Sequence, residues 1–243
     1  MNRLLLPFVF AAMGYPLSSV PADEKVDVKQ AGRQIIQLTN DFRKEHQLEA
    51  VQMNEEMQAA AEKFAQFMAE SDKYGHGADG RTPAQRVEAA GYDYCMVREN
   101  IAYRVDPSDL NAETLAQKFT QGWIDSPEHR ENMLADYISD TGVAIATTDG
   151  QTYYAVQLFG RPKSKSYKLT LLNRTDQPYT VRIESNGGSD EIDVAPRVRL
   201  RMQRCFPMTL SLVDTDVRQR FRSSQNVVIE SSDDGPRIVP SDE

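Results

Sequence analysis

Trp123-Ile124-Asp125-Ser126-Pro127-Glu128-His129-Arg130-Glu131-Asn132-Met133-Leu134 is the stretch on which the reading of this chain turns. Ser126-Pro127 places a cap before a proline at the first helical position, where the missing N–H is not needed, so a short helix is expected through Leu134. His129 then lies in the first turn of that helix. Its ring would sit near unpaired amide N–H groups, which favour neutral imidazole, the form that binds a metal or accepts a proton. Glu128 in the same turn stabilises the helix dipole by roughly 0.3–1 kcal/mol, so a solvent-facing role competes with a place in a site. Upstream, Leu115, Phe119 and Trp123 share one face of a helix that Asn111 can cap, which makes Trp123 a core residue.

Further towards the N-terminus, Ile35, Leu38, Thr39, Phe42 and His46 recur at helical spacing over residues 33–46. Asn54 can cap a second helix from Glu55 to about Ser71, with Met57, Ala61, Phe64 and Met68 on one stripe. Thr82-Pro83 opens a short helix that Gly91 ends. Towards the C-terminus the period switches to two. Gly142 to Thr147 and Thr152 to Phe159 read as strands, and Asp149-Gly150 between them as a hairpin turn. Helices followed by an antiparallel hairpin give an α+β class. The chain has three histidines. His46 ends a helical stripe, where capping or packing is its expected role. His76 lies in Tyr74-Gly75-His76-Gly77-Ala78-Asp79-Gly80, flanked by glycines that no regular element needs. Glu99-Asn100-Ile101-Ala102 puts a carboxylate in an apolar strand or loop. These positions have no local metal-motif spacing.

The order of these segments resembles the CAP superfamily (cysteine-rich secretory, antigen 5 and pathogenesis-related 1 proteins) in its bacterial SCP-like form. The matching pieces are Gly75-His76-Gly77-Ala78-Asp79-Gly80-Arg81-Thr82-Pro83 with Arg86, Ala90-Gly91-Tyr92, Glu99-Asn100-Ile101-Ala102, the stretch from Trp123 to Leu134, Thr141-Gly142-Val143, and Tyr154-Ala155-Val156-Gln157-Leu158-Phe159-Gly160. The resemblance covers residues 33–160 and implies an α-β-α sandwich, a small antiparallel sheet between helical layers. It also implies a cleft lined by two His and two Glu, which in some members binds a divalent metal. His76, Glu99 and His129 match that cleft and are the implied ligands of a zinc or magnesium ion. In animal members the fourth residue is a Glu, and here Ser126 stands in its place. Glu128 or Asp125 is the alternative there, and Gln157 in the last strand is a further lining candidate. Asp79-Gly80 reads as turn chemistry, and Arg130 and Asn132 as ties from helix to backbone.

Residues 161–166 form a polar break, and beyond it no helical stripe appears. Short strands are expected at 167–172, 179–184, 191–194, 197–202, 208–213 and 226–230, which make a small all-β, sandwich-like domain. The expected division is a signal peptide at 1–22, a CAP-type domain at 23–164 and a β domain at 165–243 with a frayed polar tail from 231. The second segment holds 15 basic and 24 acidic side chains, and the third holds 12 of each. Arg197, Arg199 and Arg201 alternate with Val198 and Leu200, either as a patch for anionic polysaccharide or lipid headgroups or as a solvated strand face. Asn173-Arg174-Thr175 is a glycosylation sequon that means little in a bacterial host.

Arg3, the apolar run Leu4 to Met13, and Val20-Pro21-Ala22 give a positive start, a hydrophobic stretch and a cleavage site, so an exported protein is expected, secreted or periplasmic. No apolar run reaches the roughly 20 residues of a membrane span. A net charge of −8 argues against nucleic acid as a partner. The two cysteines, Cys95 and Cys205, have no metal-ligand spacing, and in an oxidising compartment they most simply pair; two separately buried thiols are the alternative. Two functions follow. One is a non-enzymatic binding protein of the cell envelope, whose partner is a lipid or small molecule, or an envelope protein or polysaccharide. The other is a metal-assisted hydrolase using His76, Glu99 and His129, although the chain has neither Gly-x-Ser-x-Gly nor His-Glu-x-x-His.

Overall fold

The computed structural model describes residues 26–108 and 110–242, so the expected signal peptide lies outside the described residues. The first unit runs α1 (Val28–Glu45), β1 (Gln52–Met53), α2 (Glu55–Ser71), α3 (Pro83–Ala89), β2 (Tyr94–Val105), α4 (Ala112–Asp125), α5 (Pro127–Met133), β3 (Asp140–Ala146) and β4 (Thr152–Pro162). The helix starts follow side-chain chemistry. Asp27, Asn54 and Asn111 each accept a backbone N–H three residues on, and Thr82 forms a full capping box with Gln85. Between β3 and β4, Asp149 accepts the backbone N–H groups of Thr152 at 2.7 Å and Gln151 at 2.8 Å. Those bonds favour the ionised form and hold its carboxyl down at about 2.

The four strands form one sheet in the order β1-β3-β4-β2. Alternation along β4 divides the core in two. Tyr153, Ala155 and Phe159 pack with Ile35 of α1 and with Leu115 and Trp123 of α4. Tyr154, Val156 and Leu158 pack with Met57, Phe64 and Met68 of α2. Helices therefore cover both faces, the α-β-α arrangement expected. The N-terminal end of α2 lies so close to β3 that a Cβ on Gly142 would come within 2.3 Å of the Met57 carbonyl carbon. Only glycine admits that approach.

A 3-10 turn at Lys163–Lys165 leads into a β domain of β5 (Tyr167–Asn173), β6 (Tyr179–Ser185), β7 (Gly188–Val194), β8 (Arg199–Arg204), β9 (Met208–Leu212), β10 (Arg218–Phe221), β11 (Gln225–Ser232) and β12 (Gly235–Pro240). Two sheets, β12-β11-β5-β8 and β10-β9-β6-β7, share one core that includes Leu171, Val181, Leu210 and Ile229. Two expectations are corrected. The tail from 231 is not frayed throughout, because β12 pairs with β11 from Val227↔Pro240 to Ser232↔Gly235. Its polar residues belong to an edge hairpin, whose alternation is weak in sequence. Arg197 does not share a strand face with Arg199 and Arg201. It has a φ of 66° ahead of β8, and its guanidinium bonds to the Arg174 carbonyl and to Asp176. The sequon asparagine is fully buried, giving its amide to the Gln177 and Val194 carbonyls, so Asn173 organises a turn rather than presenting itself at the surface.

The two units are joined covalently. Cys95 at the start of β2 and Cys205 just after β8 form a disulfide with Cα atoms 5.3 Å apart. Beside it, Tyr137 meets Phe206 edge-on at 5.7 Å, and the Arg161 guanidinium lies 5.2 Å from the Tyr167 ring and donates to the Lys165 carbonyl at 2.5 Å.

Candidate functional site

β2 lies at the edge of the sheet, and the residues expected to form a site gather along it. Glu99 faces the α2 side, and its side chain is 1% exposed. Its carboxylate receives Arg86 of α3 on both oxygens, at 2.9 and 2.8 Å, and His76 Nδ1 on one of them at 2.8 Å. Arg86 also donates to Asp79 Oδ1 at 2.8 Å and to the His76 and Arg81 carbonyls at 2.9 Å. Its guanidinium carbon stands 3.5 Å from the centre of the Phe64 ring. The glycine-flanked loop is thus folded around a buried cation. Asp79 makes a turn, accepting Arg81 N–H, and also holds Arg86.

Asn100, the next residue, points to the opposite face and anchors α5. It donates to the His129 carbonyl at 3.0 Å and accepts from Asn132 at 2.9 Å, while Asn132 also donates to the Glu99 carbonyl at 3.2 Å. His76 and His129 therefore approach the same edge strand from opposite layers. Ser126 stands at the helix start as expected but makes no side-chain cap. Its hydroxyl instead lies 2.9 Å from His129 Nδ1. Each imidazole is held through Nδ1, and neither Nε2 has a hydrogen-bond partner among the described residues.

The two rings titrate in opposite directions. The hydrogen bond to Glu99 raises the His76 pKa above its ordinary 6.5, and partial burial opposes this. Burial lowers the His129 pKa, and the nearby charge of His76 lowers it further against a small opposing pull from Glu128. Over the interval between them, His76 is a cationic donor and His129 a neutral imidazole.

One expected role is corrected and another finds no support. Gln157 does not line the cleft. It is fully buried on the α1 face of β4, where its amide donates to Thr39 at 3.0 Å. The set His76, His129 and Glu99, the implied metal ligands, is not supported as a ligand cluster. Among the described residues no group of three or more His, Cys, Asp or Glu is placed to hold a metal ion. The reason is Arg86, whose two bonds occupy the Glu99 oxygens. Magnesium prefers oxygen donors, and zinc typically takes at least three protein ligands, so the residues present do not fit either ion as a built centre. Glu128 is exposed, and Asp125 receives Gln121, one helical turn back, at 2.8 Å. Neither supplies the missing carboxylate.

A sheet between helical layers, antiparallel except for the short parallel pair β1–β3, with two histidines and a buried Glu at its edge strand, defines an SCP-type α-β-α domain. The sequence model of CAP, the cysteine-rich secretory protein family, matches residues 36–159, and the chain belongs to that family. An uncharacterized protein of Borreliella burgdorferi is 25% identical over 168 residues, 68% of this chain and 100% of that protein. Among solved structures, an outer surface protein of Borrelia burgdorferi has a TM-score of 0.50 at 22% identity, covering 57% of this chain and 98% of that one. An extracellular SCP-domain protein of Bacillus anthracis has a TM-score of 0.44 at 24% identity, covering 55% of this chain and 41% of that one. These structural neighbours are outer-surface or extracellular proteins, and no described helix is long and apolar enough to cross a membrane.

Proposed function

We propose that this is an exported, non-enzymatic binding protein of the bacterial envelope, whose His76–His129 cleft receives the anionic or polar head of a small amphipathic ligand such as a lipid. The observation that carries this reading is the state of Glu99, which is buried and fully engaged by Arg86 and His76. It is not available as a general base, and its role is to position a cationic imidazole. A cation beside a neutral imidazole is suited to recognition of a carboxylate or phosphate. On the same face of β2, Tyr103 is 55% exposed and Val105 62% exposed, with Tyr74 edge-on to Tyr103 at 5.0 Å. Those side chains offer an apolar wall for the ligand body.

The test is a fluorescence titration of the chain with a dansylated fatty carboxylate, alongside His76→Ala and Tyr103→Ala variants. Binding that weakens several-fold in each variant, and weakens again from pH 6 to pH 8.5 in the parent, supports the reading. Equal affinity in all three proteins overturns it. Stoichiometric Zn²⁺ uptake by calorimetry, lost in His76→Ala and accompanied by ester hydrolysis, would favour metal-assisted hydrolysis instead.

A further inference from the structure

The other end of the sheet holds a second feature, unrelated to the cleft. β1 covers only the start of β3, through Gln52↔Asp140 and Met53↔Thr141. At Val143 the Gln58 side chain takes the place of a strand, accepting Val143 N–H at 3.0 Å and donating to its carbonyl at 2.8 Å. The peptide groups of Val143 therefore point away from β4. By the two-residue period of a strand, those of Ile145 point the same way. Among the described residues Ile145 N–H and C=O have no partner on that side.

This free edge forms the floor of a groove of about 650 Å³ between α1 and α2. The groove is pinched at one end, where the helices touch the strand. A Cβ on Gly32 would lie 3.2 Å from the Val143 carbonyl oxygen, and one on Gly142 would overlap Met57. Its walls are apolar near the floor, with Val28, Ile36 and Met53, and cationic above, with Lys29 and Arg33 on α1 and Lys63 on α2. All three cations are exposed and lack an ion pair or hydrogen bond among the described residues. Glu62, the one acid on the wall, is bonded to Gln58. Residues 23–164 as a whole carry nine more acidic than basic side chains, so a local excess of cations stands against the field of its own domain.

We propose that this groove binds an extended peptide, apolar at alternate positions and acidic near its ends, which adds as a strand to β3. An acyl chain would satisfy the apolar walls but would leave the Ile145 peptide groups dehydrated and unpaired, at a cost a peptide backbone avoids. An added strand pairs them. It directs alternate side chains to α1 and α2 and brings its carboxylates to Arg33 and Lys63.

The experiment is fluorescence anisotropy of the full chain with an array of labelled seven-residue peptides, Val, Ile or Thr alternating with polar residues and Asp or Glu at both ends. Three comparisons accompany it: the best peptide with alternate backbone nitrogens methylated, the Arg33→Glu/Lys63→Glu variant, and competition by oleate. The expected result is binding that is lost on N-methylation and falls about tenfold or more on charge reversal, since like charges oppose docking. Equal binding of the N-methylated peptide overturns strand addition. Failure of every peptide overturns the proposal, and oleate binding that Arg33→Glu/Lys63→Glu abolishes would then assign the groove to a fatty carboxylate. Both test substitutions are on exposed helix positions, and the N-methylated peptide tests the idea without altering the protein.

Discussion

Arg86 donates five hydrogen bonds from a side chain that is 4% exposed, and two of them meet the Glu99 carboxylate. Removing one member of a buried pair leaves the other charge uncompensated, so Arg86→Ala is expected to destabilise the chain by about 3–5 kcal/mol in urea unfolding. Arg86→Met/Glu99→Leu together should cost much less than Arg86→Ala alone, because no stranded charge remains. The histidines give a second expectation. A raised folded-state pKa means that His76 contributes stability that is fully present below about pH 6.5 and fades as pH rises through the folded value. The stability gap between the parent and His76→Ala should therefore be larger at pH 5.5 than at pH 8.5. His129 has the opposite sign. Its protonation is resisted in the fold, so it contributes a loss of stability as pH falls below its ordinary pKa. Proton NMR of the ring Hε1 signals should place the His76 midpoint above that of His129, and the reverse order would contradict the geometry. The histidines and Glu99 were legible from their motif contexts. Arg86 was visible only as a letter within the motif, because its partner stands 13 residues away on a strand and no local pattern reports such a pairing. The burial of Gln157 is not legible in the sequence, because alternation gives a strand residue a face but does not say which face meets a cleft.

Helices and hairpins carry their own punctuation, and this explains which elements could be read. Asn54, Thr82, Asn111 and Asp149-Gly150 mark boundaries through side-chain chemistry that acts within three residues. Sequence alone leaves β2 between strand and loop and gives no signal for β10 and β12. The partners of β2 are distant in sequence, as Glu99↔Leu158 illustrates, whereas β10 and β12 pair in local hairpins, as Ile229↔Ile238 does, but have weakly alternating composition. Two glycines separate packing from propensity. Gly142→Ala should destabilise by about 1–3 kcal/mol or more, since the new methyl would overlap the Met57 backbone at 2.3 Å. Gly122, within α4, has nothing within 4 Å of such a methyl, so Gly122→Ala should stabilise by about 1 kcal/mol through helix propensity. Thermal unfolding of the pair checks both signs, and similar shifts in the same direction would refute the close-approach account.

At the scale of the molecule, one disulfide staples the two units beside a small set of aromatic contacts. The chain-entropy model assigns roughly 4–5 kcal/mol to a bridge closing a loop of 110 residues, so reduction should lower the unfolding temperature and make the segment around residues 161–166 a site of proteolytic cutting. Limited trypsin digestion with and without reductant measures this, and unchanged cutting would show that noncovalent contacts alone hold the units together. The bridge also fixes a mechanical path. Pulling on residues 26 and 242 sends tension along the chain to Cys95, across the sulfurs to Cys205 and onward. The span between them, which includes His129, β3, β4 and the first four strands of the β domain, carries no load while the bond is intact. At about 3.3–3.6 Å per extended residue, 110 residues amount to roughly 360–400 Å of chain that cannot be drawn out until the bond is reduced. Under any load applied to its two ends, one pair of sulfurs sets how far the chain stretches.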